Sequence, residues 1–263
     1  IIIKVIYIMD YKKTANVKFQ GGIGNQLFQF AFGLYLKEHF NLNVTADKSW
    51  YQNTNNRKDL LYKFINPEYQ FLEKNYYKNN IINKILSRSE KLIIYSLKKN
   101  KLITLNFNGY WQDIFFANYL KNNFNYFNQL NFKKLINGEY YVFHLRRGDF
   151  ETSKAHYLLY DQFYIDNYHF FKKKKIIILS EDRNDGLILK DKINDKNIEI
   201  FNLSEEDSFK LIFNANGGIS SNSSFCWWSI FLSENRNWIM PFQWLKKETI
   251  FDKNLQIDKT LVI

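Results

Sequence analysis

Short runs of β-branched and aromatic residues alternate with helical stretches along most of this chain of 263 residues. Strands alternating with helices of about ten residues are typical of βαβ units, which build parallel sheets. The predicted strands are Val17–Phe19, Leu42–Ala46, Ile103–Phe107, Tyr140–Leu145, Ile176–Leu179, Ile198–Phe201, Gly218–Ser220 and Trp238–Met240. The predicted helices are Asn25–Phe40, Ile81–Leu97, Phe115–Asn123, Asp161–Phe171, Gly186–Ile193, Glu205–Asn214 and Phe225–Leu232. The pattern therefore predicts an α/β fold.

The alternation occurs in two sets, separated near residues 125–138 by a stretch rich in Asn, Lys and aromatic residues. Two sets predict two Rossmann-like halves, over residues 9–135 and 136–263. With 46% hydrophobic residues, the chain can bury a substantial core. Because ligands bind at the carboxyl ends of the strands in open α/β sheets, the loops at those ends are the candidate sites.

The formal net charge is +11. The charge fits solubility and a composition biased towards Lys and Asn. It also fits a field that attracts an anion such as a nucleotide, an acidic glycolipid or a membrane surface, and charge alone does not choose among these. A nucleic-acid-binding protein would instead gather basic residues and exposed aromatics on one face without a deep cleft. Cys226 is the single cysteine, so no internal disulfide forms, as suits a reducing cytosol.

No apolar run approaches the ~18–20 residues that a membrane helix needs. The first eight residues are apolar but are interrupted by Lys4, and Met9 is an alternative start to Ile1. We therefore assign no function to residues 1–8.

A glycine-rich turn, Gly21-Gly22-Ile23-Gly24-Asn25-Gln26, follows the first predicted strand and opens a helix. Glycines let a backbone approach a ligand closely, and a helix N-terminus offers free N–H groups to an anion. Because the spacing is not G-x-G-x-x-G, a dinucleotide fingerprint is not supported. We predict ligand contacts from Gly22, Gly24, Asn25 and Gln26, and the alternative is a tight turn without a ligand.

The segment His144-Leu145-Arg146-Arg147-Gly148-Asp149 stands at the end of a predicted strand, in a chain that otherwise strongly prefers Lys to Arg. The planar guanidinium suits bidentate contact with phosphate, which Lys cannot copy. Strand alternation places His144 and Arg146 on one face and Arg147 on the other. Gly148 can return Asp149 to either side. The alternative is a structural Arg147–Asp149 ion pair with His144 as a core histidine.

A serine-rich loop, Ser220 to Ser224, precedes the apolar helix that contains Trp227 and Trp228. One Ser or Asn is explained as an N-cap, but four serines and an asparagine exceed that need. With the helix dipole they form a phosphate cradle, for which we predict Asn222, Ser223, Ser224 and Phe225 as donor-binding residues. The two tryptophans are predicted to pack in the core.

Two further loops are less specific. Glu181 and Asp182 follow a strand, and their carboxylates can accept hydrogen bonds from ribose or guanine, although a solvated loop is the alternative. Tyr110, Trp111 and Gln112 form an aromatic and polar segment suited to an acceptor sugar. The histidines are scattered and D-x-D is absent from the sequence, so no metal site is predicted.

In combination and order, these motifs resemble those of the bacterial α-1,2-fucosyltransferases, glycosyltransferase family 11. The resemblance spans about residues 17–232. It depends on residues 21–31, on Gly109-Tyr110-Trp111-Gln112, on His144 to Asp149 and on Ser221 to Trp228. It implies a GT-B-like fold in which two halves face a cleft, with the N-terminal half on the acceptor side and the C-terminal half binding GDP-fucose.

The resemblance also implies an inverting transfer of L-fucose, without a metal or other cofactor, to the 2-hydroxyl of a galactose-containing glycan. It assigns the β-phosphate of the donor to Arg146, the diphosphate to Ser223 and Ser224, and a place near the donor to Asn25, while Arg147 remains a donor-side candidate. It further implies a role in surface polysaccharide synthesis. The expected location is the cytoplasm, with peripheral contact at the inner face of a bacterial membrane.

Asp149 and His144 are the candidate bases for such a displacement, with Asp149 preferred, although positioning alone can supply much of the rate. Three alternatives remain at this stage: a fucosyltransferase of another linkage, a non-catalytic glycan-binding protein, and a nucleic-acid-binding protein.

Overall fold

A computed structural model describes residues 13–54, 57–74, 104–247, 254–258 and 260–262. The predicted helix Ile81–Leu97 lies outside the described residues, as does the region around Met9.

Four parallel strands form the sheet of the N-terminal half, in the order β3-β2-β1-β4. They are β1 (Thr14–Lys18), β2 (Asn43–Asp47), β3 (Leu72–Glu73) and β4 (Thr104–Phe107). The strand order reverses direction between β1 and β4, and their following loops hold the glycine-rich turn and the Gly109–Gln112 segment. Such a reversal opens a crevice at the carboxyl ends of the strands.

Six parallel strands form the sheet of the C-terminal half, in the order β10-β9-β8-β5-β6-β7. They are β5 (Tyr141–Leu145), β6 (Ile176–Ser180), β7 (Ile198–Phe201), β8 (Gly218–Ile219), β9 (Trp238–Met240) and β10 (Leu261–Val262). The order reverses between β5 and β8. The Arg-rich segment follows β5 and the serine-rich loop follows β8, so both reach the same crevice.

Helices cover both sheets. They are α1 (Ile23–Phe40), α2 (Leu61–Phe64), α3 (Ile114–Lys121), α4 (Asp149–Thr152), α5 (Asp161–Asn167), α6 (Arg183–Ile193), α7 (Glu205–Phe213) and α8 (Ser224–Leu232). The predicted helix Asp161–Phe171 is α-helical only to Asn167 and continues as a 3₁₀ turn over Tyr168–Phe171. Two parallel sheets with covering helices confirm the predicted α/β fold of two Rossmann-like halves.

The larger of two hydrophobic clusters contains residues from both halves. Phe28 of α1 packs on Trp227 and on Trp228 of α8, with ring centroids 4.9 Å apart in each case. Both tryptophans are fully buried, which confirms their predicted place in the core. The backbone N–H of Ile114 also donates to the carbonyl of Asn254, so the chain end contacts the first half. The boundary at residues 135 and 136 stays a prediction.

Gly24 allows the first turns of α1 and α8 to approach each other closely. A Cβ placed on Gly24 would lie 2.4 Å from the backbone N of Phe225 and 2.4 Å from the backbone C of Ser224. The sequence predicted that this glycine lets the backbone approach a ligand. The close approach is instead to another helix, although Gly24 also borders the cavity described below.

In the described ranges, no helix is long and apolar enough to cross a bilayer.

We expect Gly24→Ala to lower the free energy of unfolding by about 3 kcal/mol, because the added methyl group meets backbone atoms that cannot rotate away. Gly22→Ala is the matched control. Among the described residues, nothing lies within 4 Å of a Cβ on Gly22 and its φ is −74°, so the change should stay within about 1 kcal/mol. Urea unfolding of both variants measures the difference, and equal losses would contradict the packing role of Gly24.

Candidate functional site

A cavity of about 840 Å³ lies between the halves, at the carboxyl ends of both sheets. The glycine-rich turn and the Tyr110–Gln112 loop border it from the N-terminal half, and the loops after β5, β6, β7, β8 and β9 border it from the C-terminal half. Its size is that of a pocket for a substrate or cofactor. Most of the predicted site residues meet here, although they are up to about 200 positions apart in the sequence.

Arg146 extends from the end of β5 into the cavity wall. Its guanidinium contacts a carboxylate oxygen of Asp149 at 2.5 Å and one of Glu181, and its central carbon lies 5.1 Å from the centre of the Phe150 ring. The side chain is only 10% exposed. These contacts fix the planar guanidinium beside the cavity, in an orientation suited to an anion.

Asp149 binds one arginine from each half. One carboxylate oxygen contacts Arg146, and the other contacts Arg57 of the N-terminal half at 3.1 Å. The turn at Gly148, which has a φ of +51°, brings Asp149 to the same side as Arg146. The structure therefore decides the orientation that the sequence left open.

Arg147 points away from the cavity, as expected from strand alternation. Its guanidinium pairs with Asp161 and lies 3.8 Å from a carboxylate oxygen of Asp185. The suggested Arg147–Asp149 ion pair is therefore wrong, since Asp149 pairs with Arg146 and Arg57. Arg147 was predicted as a donor-side residue. Because its side chain leaves the opposite face of β5, it has a structural role instead.

His144 is buried, with 7% of its surface exposed, and its Nδ1 lies 2.7 Å from the hydroxyl of Ser221. Burial, with a smaller contribution from the charge of Arg146, lowers the pKa of His144 to about 3. The imidazole is therefore neutral at pH 7 and a weak proton acceptor. His144 borders the cavity as a fixed polar group, and these properties disfavour the predicted role as a base.

The serine-rich loop lies against the same wall, and Asn222, Ser223, Ser224 and Phe225 all border the cavity. The side-chain amide of Asn222 donates to the carbonyl of Tyr157 at 2.6 Å and to that of Trp244 at 3.2 Å, which fixes two neighbouring loops. Ser223 occupies the N-cap position of α8. Among the described residues, the Ser223 hydroxyl makes no hydrogen bond to the backbone N–H groups in the first turn of α8. The N-terminus of α8 can therefore offer N–H groups to an anion.

Asn25 joins the two halves at the cavity edge. Its side-chain oxygen accepts hydrogen bonds from the Gln112 amide and from the Ser224 hydroxyl, the latter at 3.1 Å. Gln26, although predicted beside it as a ligand contact, is fully buried. Its side chain donates to the carbonyl of Lys58 at 2.9 Å and accepts from the N–H of Leu60 at 2.9 Å, so it fixes a loop instead of facing a ligand.

The backbone of the predicted acceptor segment, Tyr110 to Gln112, directs its side chains to different places. Tyr110, which is 46% exposed, and Gln112 border the cavity. Trp111 has a φ of +54°, and its ring stacks on Phe32 at 3.9 Å between centroids. Trp111 is therefore a packing residue, because the left-handed backbone turns its side chain into the core.

The two carboxylates predicted as donor contacts after β6, Glu181 and Asp182, also lie in different places. Glu181 borders the cavity. The carboxylate of Asp182 accepts from the N–H of Asn184 at 2.8 Å and caps α6, as a helix start at Arg183 requires. Asp182 therefore has a structural role at the helix end.

The cavity residues that the sequence did not predict include four with functional side chains of interest, namely Trp50, Arg57, His156 and Glu205. Arg57 carried a usable signal, since arginine is rare in this Lys-rich chain. Burial raises the pKa of Glu205, and Arg57 opposes that shift by its positive charge. Within the part of the chain that the structure describes, no group of three His, Cys, Asp or Glu side chains is placed to bind a metal ion.

Two opposed Rossmann-like halves with a cavity at both crevices define a GT-B-like fold. No protein-family model matches the chain. An α-1,2-colitosyltransferase of Escherichia coli is 26% identical to it over 88% of this chain and 92% of that protein.

Solved structures of the NodZ fucosyltransferase share the fold. The α-1,6-fucosyltransferase NodZ co-crystallised with GDP matches 84% of this chain and 93% of that chain, with a TM-score of 0.52 and 9% identity. NodZ from Bradyrhizobium matches the same share of this chain and 94% of its own, with a TM-score of 0.50 and 8% identity. Together with the colitosyltransferase, these findings confirm the resemblance to fucosyltransferase-type proteins.

We expect Arg147→Ala to lower the free energy of unfolding by about 1–2 kcal/mol while leaving ligand affinity unchanged, because it removes one of the two cationic partners of the half-buried Asp161, the other being Lys192. Thermal unfolding together with GDP calorimetry measures both effects. A loss of GDP affinity without a loss of stability would return Arg147 to the donor site.

Proposed function

We propose that this protein is an inverting glycosyltransferase that moves L-fucose from GDP-fucose to the 2-hydroxyl of a galactose-containing glycan. The observation that carries the proposal is the meeting of Arg146 with the uncapped N-terminus of α8 at the β5–β8 reversal. A leaving diphosphate needs positive charge and N–H donors at one place, and this crevice offers both.

The diphosphate would lie between Arg146 and Ser223–Ser224. Asp149 and Glu181 hold the guanidinium in place, and the diphosphate would compete with these carboxylates for its N–H groups. Arg57 reaches the same region from the other half and adds a second guanidinium. We therefore expect the donor to bind both halves at once.

The nucleoside would extend from the diphosphate towards the loops after β6 and β7. Glu181 and Glu205 border the cavity there, and carboxylates accept hydrogen bonds from ribose hydroxyls and from the N–H groups of guanine. The acceptor would approach from the N-terminal half. Trp50 and Tyr110 offer aromatic faces to a sugar, and Gln112 offers an amide.

The sequence relative supports the proposed linkage and suggests a second candidate for the transferred sugar. The E. coli protein is an α-1,2-colitosyltransferase, and its similarity covers 88% of this chain, which supports a 1,2 linkage. The NodZ enzymes are α-1,6-fucosyltransferases, but at 8–9% identity they support the fold alone. Colitose is 3-deoxy-L-fucose, so transfer of colitose from its GDP derivative is the second candidate function.

The proposal includes a metal-independent reaction, in which arginines and a helix terminus meet the charge of the leaving group. It also includes action at the inner face of a bacterial membrane, in surface polysaccharide synthesis. The formal charge of +11 supports contact with anionic lipid headgroups.

Arg146→Ala should weaken GDP binding by at least about 100-fold, because charge-assisted hydrogen bonds to phosphate are lost. Calorimetry in the presence of a chelator measures the affinity and tests metal independence at the same time. Arg183→Ala is the matched control, since Arg183 begins α6 and does not border the cavity. Unchanged GDP affinity in the Arg146 variant would remove this residue from the donor site.

Incubation of the protein with GDP-fucose or GDP-colitose and a panel of galactosides, followed by linkage analysis, tests the reaction itself. We expect a product with a 1,2 linkage, formed equally well with a chelator present. Tight GDP binding without transfer to any acceptor would instead favour a binding protein. A product of another linkage would overturn the proposed acceptor hydroxyl.

A further inference from the structure

An inverting displacement benefits from a group that accepts the proton of the attacking hydroxyl. Among the described groups that border the cavity, Asp149 is held between two guanidiniums and His144 is buried with an engaged Nδ1. Glu181 is paired with Arg146, and Glu205 lies with Glu181 on the side of the loops after β6 and β7. His156, which is half-buried, borders the same cavity and is the remaining imidazole there.

The segment that carries His156 is fixed by backbone hydrogen bonds to the loop after β9. The N–H of Tyr157 donates to the carbonyl of Trp244 at 3.0 Å, and the N–H of Lys246 donates to the carbonyl of Ala155 at 2.8 Å. The Asn222 amide contacts both Tyr157 and Trp244, so the same asparagine fixes this segment to the serine-rich loop. His156 is therefore placed by the structure that forms the predicted phosphate cradle.

The imidazole of His156 is also oriented by its neighbours. Its ring stacks on that of Phe150 with centroids 4.2 Å apart and an interplanar angle of 12°, and the guanidinium of Arg146 lies near the same phenyl ring. Its Nδ1 lies 2.8 Å from the Ser153 hydroxyl. Because Nδ1 is engaged in this way, Nε2 is the ring nitrogen available to a ligand.

His156 and the proposed nucleoside contacts lie on opposite sides of the β5–β8 reversal. The loops after β6 and β7, with Glu181 and Glu205, lie on one side of the β5–β8 reversal, and His156 with the loop after β9 lies on the other. If the carboxylates bind the nucleoside, the diphosphate at the reversal leaves the transferred sugar on the His156 side. Neighbouring strands are about 4.8 Å apart, so the two sides are far enough apart to hold different parts of one donor.

We infer that His156 accepts the proton of the acceptor hydroxyl through Nε2, an inference that rests on the proposed function. The hydroxyl oxygen forms a bond to C1 of the sugar as the bond from C1 to the diphosphate oxygen breaks. The electron pair of that bond stays on the diphosphate, which Arg146 and the N-terminus of α8 stabilise. The proton moves from the acceptor oxygen to Nε2, and the imidazolium later releases it to water.

The electrostatic surroundings of His156 agree with this role. Burial lowers the pKa of His156 from its ordinary value, with Arg146 acting in the same direction and Asp149 opposing them. Further charges near its segment include those of Arg57, which pairs with Asp149, and of Lys246, whose ammonium donates to the Ser153 carbonyl at 2.6 Å, and the segment itself carries Glu151 and Lys154. The ring is neutral at pH 7, so it can accept a proton. When the pH falls below its pKa, the ring is already protonated and can no longer act as a base.

We expect His156→Gln to lower kcat about 100-fold and to abolish the acid limb of the kcat–pH profile, with GDP affinity unchanged. The measurements use GDP-fucose and the galactoside that the wild-type protein converts. His169→Gln is the matched control, because His169 is exposed and its Nδ1 contacts the carbonyl of Asp166 outside the cavity. A His156 variant with kcat within threefold of wild type and an unchanged kcat–pH profile would overturn the inference about His156 but not the proposed function.

The wild-type profile supplies an independent test if the variant fails to fold. An acid limb with an apparent pKa below 6.5 supports His156, and a kcat that stays constant from pH 7 down to the onset of acid unfolding overturns it. Absence of both GDP binding and transfer in the wild-type protein would instead refute the proposed function, and the inference with it.

Discussion

The contact between the first turns of α1 and α8 is the constraint on which the rest of the structure depends. Both helices begin at a reversal of strand order, one in each sheet, and Gly24 lets their backbones meet without a side chain between them. Phe28 and the two tryptophans of α8 continue this contact into a shared core. Because the two helix starts are held together, both crevices open into a single cavity.

Arginine and carboxylate side chains form ion pairs around that cavity. Asp149 contacts an arginine from each half, and Glu181 contacts Arg146 from the next strand. Such pairs keep guanidiniums in fixed positions while their charge remains available to a stronger anion. The arrangement also disfavours Asp149 and Glu181 as bases, because each carboxylate is engaged by a guanidinium.

Much of the fold was predictable from the sequence because each strand is a short local pattern. The observed β6, for example, extends only one residue beyond its predicted end, and Ile198–Phe201 and Trp238–Met240 match their predictions. Alternation along β5 also separated Arg146 from Arg147 correctly. The errors at Gln26 and Trp111 have one cause, since their partners, such as Lys58 and Phe32, are distant in sequence.

The sequence by itself determined the elements, the two sets of strands and the loops able to bind an anion, because periodicity and turn residues act over a few positions. Only the tertiary structure decided which side chains share the cavity. It brought Arg57 to Asp149 and placed His156 beside the serine-rich loop, and it turned Asp149 towards Arg146. These placements depend on packing between elements far apart in the chain, where burial and charge pairing outweigh local preference.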